Sequence, residues 1–196
     1  SYKEEKQLLV YCGATNVESE YLSDNDFDSS EQRQIDEVTS LLGNTLQMRV
    51  TQFTSAEDSK QRELIKEEFS KGEIQALVAI KCLDEGMNIP GIKTAFILTS
   101  STNPKEYIQR RGRVLRKAPG KVYATIYDFV TLPRPLDEYS YPSSVQAELS
   151  LVKREVERMR DFQELSENPS DVTEIIRKVS EKYNLYMIGD EYERVE

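Results

Sequence analysis

Four arginines crowd into eleven residues at Glu106-Tyr107-Ile108-Gln109-Arg110-Arg111-Gly112-Arg113-Val114-Leu115-Arg116, in a chain whose formal charge is −9. A guanidinium is a planar fork of donors that matches phosphate oxygens in pairs, so this segment has the chemistry to meet a phosphate. Local signals predict a helix. Asn103 suits the N-cap, Pro104 the first helical position and Glu106 the capping-box place, and Lys117-Ala118-Pro119-Gly120 marks the end. At about 100° per residue, Gln109, Arg113 and Arg116 form one stripe and Ile108 and Leu115 another, with Gly112 between them. The apolar stripe is expected to bury and the polar one to project. Gly112 costs the helix about 1 kcal/mol relative to alanine, which a close approach by a backbone or ligand would explain.

A second candidate is Lys81-Cys82-Leu83-Asp84-Glu85-Gly86-Met87-Asn88-Ile89-Pro90, which follows the most continuously apolar run of the chain, Ala76–Ile80. Ligands of open parallel sheets bind beyond the carboxyl ends of strands, where this loop would lie. Gly86 permits a tight turn, and Asp84, Glu85 and Asn88 offer acceptors to a sugar hydroxyl or a cationic side chain.

Composition narrows the chemistry further. There is no histidine, and Cys12 and Cys82 lie far apart in apolar runs, so zinc sites, catalytic triads and histidine acid–base catalysis are excluded. Both thiols read as core residues of a reducing compartment. With 38% hydrophobic and 31% charged residues and no span-length apolar stretch or secretory leader, the expectation is a soluble, intracellular, cytoplasmic protein with no membrane partner. The acidic total argues against strong non-specific nucleic-acid binding, yet its distribution leaves Lys105–Lys121 basic and concentrates acid in Glu18–Glu31 and Asp190–Glu196. The chain opens at Ser1 without an initiator methionine, which suggests a processed or truncated chain.

Positioning these residues falls to five strand candidates, Gln7–Cys12, Met48–Phe53, Gln75–Ile80, Thr94–Leu98 and Val122–Phe129. Helical patterns alternate with them. Glu31–Leu42 is expected to end at Gly43, and Ala56–Lys71 to start from Ser55 and Asp58 in capping-box positions, bury Leu64, Ile65 and Phe69, and stop at Gly72. This alternation predicts an α/β fold with a mainly parallel sheet covered on both faces, and Ala76–Ile80 is the expected central strand. Residues 14–30 read as a flexible acidic insertion in a domain spanning 1–130, residues 131–142 as a proline-rich linker, and 143–196 as a helical extension. In that extension one helix repeats Val145, Leu149, Val152, Val156, Met159 and Phe162, and a second, opening at Asn168-Pro169, carries Val172, Ile175, Ile176 and Val179. Packing on each other or on the sheet domain is the expected use of these faces.

In order along the chain, Val10-Tyr11-Cys12, Leu83-Asp84-Glu85-Gly86-Met87-Asn88-Ile89-Pro90 and Gln109-Arg110-Arg111-Gly112-Arg113-Val114-Leu115-Arg116 resemble motifs IV, V and VI of superfamily 2 helicases. The resemblance covers roughly residues 7–130 and is nearest to DEAD/DEAH-type DNA helicases and translocases. It implies a three-layer RecA-like domain, the second of a pair, that closes over ATP and Mg²⁺ held mainly by an N-terminal RecA-like domain of the same protein. By the same resemblance Arg113 and Arg116 reach the γ-phosphate and Gln109 supports them, while Gly86 and Asn88, with Asp84 and Glu85 beside them, meet the nucleotide ribose. Asn88 departs from the common aspartate but still bonds a hydroxyl. Lys81 and the Thr54-Ser55 turn are the implied nucleic-acid contacts, with DNA favoured over RNA.

No Gly-x-x-x-x-Gly-Lys-Ser/Thr loop occurs in the 196 residues, so the domain alone is expected to bind no nucleotide and to leave its arginines exposed. The isolated domain is also expected to be monomeric. A non-catalytic RecA-like adaptor for protein interactions is the alternative. A Rossmann-type enzyme would want a glycine-rich loop after the first strand, which Cys12-Gly13-Ala14-Thr15 does not supply.

Overall fold

The computed structural model describes residues 7–12, 34–54, 56–80, 91–98, 104–137 and 146–185, with the side chains of 104–106, 109, 110, 146 and 147 outside that description. The chain divides into two compact units, Ser1–Phe129 and Val130–Glu196.

The first unit is built on five parallel strands: β1 (Leu8–Tyr11), β2 (Val50–Phe53), β3 (Ala76–Ala79), β4 (Thr94–Ile97) and β5 (Thr125–Asp128), in the order β2-β3-β1-β4-β5. Its register puts Gln52, Val78, Val10, Phe96 and Tyr127 in one row across the sheet. Leu8, Val10, Cys12, Ala76 and Val78 bury one face of the interior strands together with Ile35, Leu42 and Met48. On the other face Leu9, Tyr11, Leu77, Ala79, Ala95 and Ile97 are all essentially inaccessible. Two buried faces explain the unbroken apolar runs of β1 and β3. They also correct one expectation: β1, not β3, is the central strand. Apolar continuity identifies interior strands without ranking them.

Helix α1 comprises the described helical residues 34–40 and runs on into one π-helical turn, Leu41–Thr45, rather than stopping at Gly43. Gly43 instead lies close to β2: a Cβ there would lie 3.1 Å from Val50 Cγ1, and that methyl would have to give way by a few tenths of an ångström. Helix α2 (Ser59–Lys71) begins later than its sequence suggests, because Asp58 is itself the N-cap. Its carboxylate accepts the N–H groups of Lys60 and Gln61, both at 2.8 Å, and Gln61 Oε1 accepts Asp58 N–H at 3.0 Å. The helix ends at Gly72, whose φ of 77° is the left-handed conformation that glycine adopts without strain. Only Phe69 of its expected buried set is fully enclosed; Ile65 is half-buried and Leu64 is 55% exposed. Leu64 instead helps line a groove of about 640 Å³ beside β2, with Thr39, Val50, Gln52, Glu57 and Ile65.

In the second unit, α4 (Gln146–Gln163) and α5 (Pro169–Lys182) bury Leu149, Val152, Val156 and Met159 against Ile176, Val179 and Tyr183. Ile175, one position off that row, is 47% exposed. Residues 130–134 are fastened to the same hairpin. Val130 and Leu132 pack on its core, Thr131 N–H donates to Glu155 Oε2 at 3.3 Å, and Arg134 exchanges two 3.1 Å bonds with the Tyr183 hydroxyl through its own N–H and C=O. Arg134 also pairs with Glu148 at 3.0 Å. Among the described residues no helix is long and apolar enough to cross a membrane.

Candidate functional site

Helix α3 (Pro104–Val114) carries the arginines. Tyr107 and Val114, seven residues apart and so two turns along one side, are its buried pair at 6% and 0% exposure. Ile108 and Leu115, the stripe expected to bury, are 44% and 40% exposed. The inward direction is set one residue earlier than expected, where an aromatic ring and a β-branched side chain are the ones enclosed.

The helix stops before its polar stripe does. Leu115 N–H still bonds Arg111 C=O at 3.0 Å, and Arg116 N–H bonds Arg113 C=O at 3.3 Å, so the last turn tightens as it ends. Arg116 is exposed as expected, whereas Arg113 is half-buried. Gly112 is exposed, and a Cβ on it would meet nothing within 4 Å. Among the described residues, then, nothing explains the glycine.

A residue that sequence reasoning passed over fixes the end of α3. Pro119-Gly120 makes a reverse turn, with Lys121 N–H bonded to Ala118 C=O at 3.1 Å and Gly120 at φ 72°, the positive value a type II turn requires at that place. The turn brings Lys121 Nζ back under the helix, where it donates to Val114 C=O and, at 3.0 Å, to Arg116 C=O. These carbonyls are among those a helix end leaves unpaired, and a cation there also suits the helix dipole. Burial pushes the Lys121 ammonium below its usual pKa. Lys121→Met is expected to lower stability by about 1 kcal/mol and to raise amide exchange across residues 111–116, as hydrogen-exchange mass spectrometry would measure. Unchanged exchange there would refute the capping role. The Pro-Gly pair followed by lysine was the available signal.

At the carboxyl end of β2, Thr54 is held by Glu57, whose carboxylate accepts the Thr54 N–H at 2.6 Å. Arg62 braces the same turn, donating to Thr54 C=O at 3.1 Å with its guanidinium 5.9 Å from the centre of the Phe53 ring. Glu57 and Arg62 were likewise not anticipated. Ser55 and the loop residues Lys81, Asp84, Glu85, Gly86 and Asn88 lie outside the described residues, and Gln109 is placed on α3 by its backbone alone. Cys12 is buried, and desolvation pushes its thiol up to about 12, which makes it an inert core residue. Among the described residues no cluster of acidic or cysteine side chains could hold a metal ion.

A family model described as the helicase conserved C-terminal domain matches residues 3–118, from before β1 through Arg116. The chain belongs to that family. This helicase C-terminal domain is 35% identical over 60 residues to a DNA 3'-5' translocase, XPB2, of Sulfurisphaera tokodaii, a match covering 31% of this chain and 14% of that protein. It is 37% identical over 68 residues to the ATP-dependent RNA helicase RhlB of Aliivibrio salmonicida, covering 35% of this chain and 16% of that one. The helicase domain therefore spans about one-sixth or less of the length of these relatives. Among solved structures, the yeast DEAD-box splicing factor Prp28 superposes with a TM-score of 0.58 at 17% identity, over 92% of this chain and 31% of that one. The likeness is one of fold, and the fold is RecA-like.

Proposed function

We propose that this chain is the C-terminal half of an ATP-driven nucleic-acid motor, supplying Arg113 and Arg116 to ATP held by an N-terminal RecA-like domain of the same protein. One observation carries the reading. Two arginines stand at the capped end of α3 in a helicase C-terminal domain whose 196 residues contain no phosphate-binding loop. ATP, when bound, supplies a phosphoryl group on which negative charge builds during transfer, and rigid guanidinium forks are suited to meet it. Arg113 is half-buried and Arg116 exposed, so ordering Arg113 on a phosphate costs less side-chain entropy than ordering Arg116. Gln109 steadies the pair, and Gly86 and Asn88, with Asp84 and Glu85, take the ribose side of the nucleotide. Mg²⁺ falls to the partner domain.

The nucleic-acid strand is assigned to the carboxyl edge of the sheet, at Thr54, Ser55 and Lys81, through contacts to its phosphates that read no sequence. DNA is the proposed strand, on the motif resemblance. Competition between matched single-stranded DNA and RNA for the full-length protein decides that point. The reading as a whole is tested by ATP hydrolysis: none is expected from the 196-residue chain, and nucleic-acid-stimulated turnover from the full-length protein. Turnover by the chain alone would overturn it.

A further inference from the structure

The turn after β2 holds an arrangement with a use of its own. Thr54 presents two donors at the carboxyl edge of the sheet, and both go to one side chain: Glu57 Oε2 takes the N–H at 2.6 Å, and both carboxylate oxygens lie 3.2 Å from Oγ1. The hydroxyl oxygen in turn accepts Ala56 N–H at 3.1 Å. The N-terminus of α2 plays no part, because Asp58 already takes the amides of Lys60 and Gln61. Behind the turn, Arg62 Nη2 holds Thr54 C=O, while Arg62 Nε is buried with no hydrogen-bond partner among the described residues. An N–H and a hydroxyl converging on one anionic group, backed by a guanidinium, are the donors that a phosphodiester accepts.

We infer that Glu57 is an internal stand-in for a nucleic-acid phosphate, its carboxylate holding the Thr54 donors until a backbone phosphate displaces it. The inference rests on the proposed function, which brings a strand to this edge. Exchanging one anionic acceptor for another leaves no donor unpaired before or after binding, so the turn keeps its shape in both states. Affinity is reduced by the share of molecules in which Glu57 occupies the place, and the carboxylate thereby sets how readily the motor releases its track. A phosphate also has to overcome the repulsion of the displaced carboxylate, which rejects weakly seated strands.

The test is fluorescence anisotropy of the full-length protein with a fluorescein-labelled oligothymidylate at two salt concentrations. Glu57→Ala is expected to bind about two- to tenfold more tightly, the worth of a net hydrogen bond. Glu57→Gln, which keeps a neutral acceptor for the turn, gives a smaller gain. Thr54→Val weakens binding, and combining it with Glu57→Ala shrinks the gain. An equal gain with and without the Thr54 hydroxyl would mean general charge relief and would overturn the inference. Weaker binding in Thr54→Val with no gain in Glu57→Ala overturns the inference alone; insensitivity to both overturns it together with the placement of the strand.

Discussion

Replacing Arg113 with alanine in the full-length protein is expected to lower nucleic-acid-stimulated ATP turnover by about 10³-fold or more while leaving nucleotide affinity within a few-fold. The split follows from what the guanidinium meets in the proposed role. Charge that appears only as the phosphoryl group transfers is stabilised in the transition state and hardly at all in the ground state. Arg116→Ala is expected to act in the same direction. Lysine at 113 is not a conservative replacement, because an ammonium lacks the paired planar donors, and Arg113→Lys should recover only a small part of the loss. Steady-state phosphate release, with nucleotide affinity measured separately, checks the split. Normal turnover in Arg113→Ala would favour the adaptor reading, in which the arginine helix is a surface of the fold and nothing more.

The second large effect concerns the helical unit. Glu155 and Arg158 are 3% and 2% exposed and pair at 2.6 Å, and the same Glu155 oxygen also receives Thr131 N–H. Arg158→Ala leaves the carboxylate enclosed without its cation, at a cost of about 3–5 kcal/mol. A loss of that size approaches the whole stability of a small unit. Urea unfolding followed by hydrogen exchange should show α4, α5 and residues 130–134 opening at lower denaturant, with the strands of the RecA-like unit protected as before. The double replacement Glu155→Leu with Arg158→Met is expected to restore much of the loss, since an apolar pair of similar volume removes both charges. A single unchanged transition in Arg158→Ala would show that the pair carries little.

Local chemistry made much of this molecule legible. The apolar runs at residues 8–11, 50–53, 76–79, 94–97 and 125–128 are strands, and Gly72 ends its helix in the left-handed conformation. Such features depend on a few neighbouring residues, so spacing reveals them. What escaped depends on partners distant in sequence or on competition between near neighbours. A helical wheel finds the stripe of Ile108 and Leu115 but not that Tyr107 and Val114 are the ones enclosed, because tertiary packing decides the inward direction. Ser55 and Asp58 both qualify as caps by type. Asp58 prevails because Thr54 and Glu57 close a turn of their own ahead of the helix. Lys121 looked like one more member of a basic cluster, and only the Pro119-Gly120 turn shows that it serves the helix end rather than a ligand. On α3 the arginines are legible in the sequence, and the structure separates them into a half-buried Arg113 and an exposed Arg116.

The central claim is that α3 completes a nucleotide site whose other half lies on a second domain. A crystal structure of the full-length protein with ADP, Mg²⁺ and aluminium fluoride in place of the transferring phosphoryl group tests it most directly. The account predicts the Arg113 and Arg116 guanidinium groups within about 3 Å of the fluoride, the range of charge-assisted hydrogen bonds, with the two domains closed on the nucleotide. A closed complex in which α3 faces away from the fluoride, its arginines engaged elsewhere, would contradict the claim.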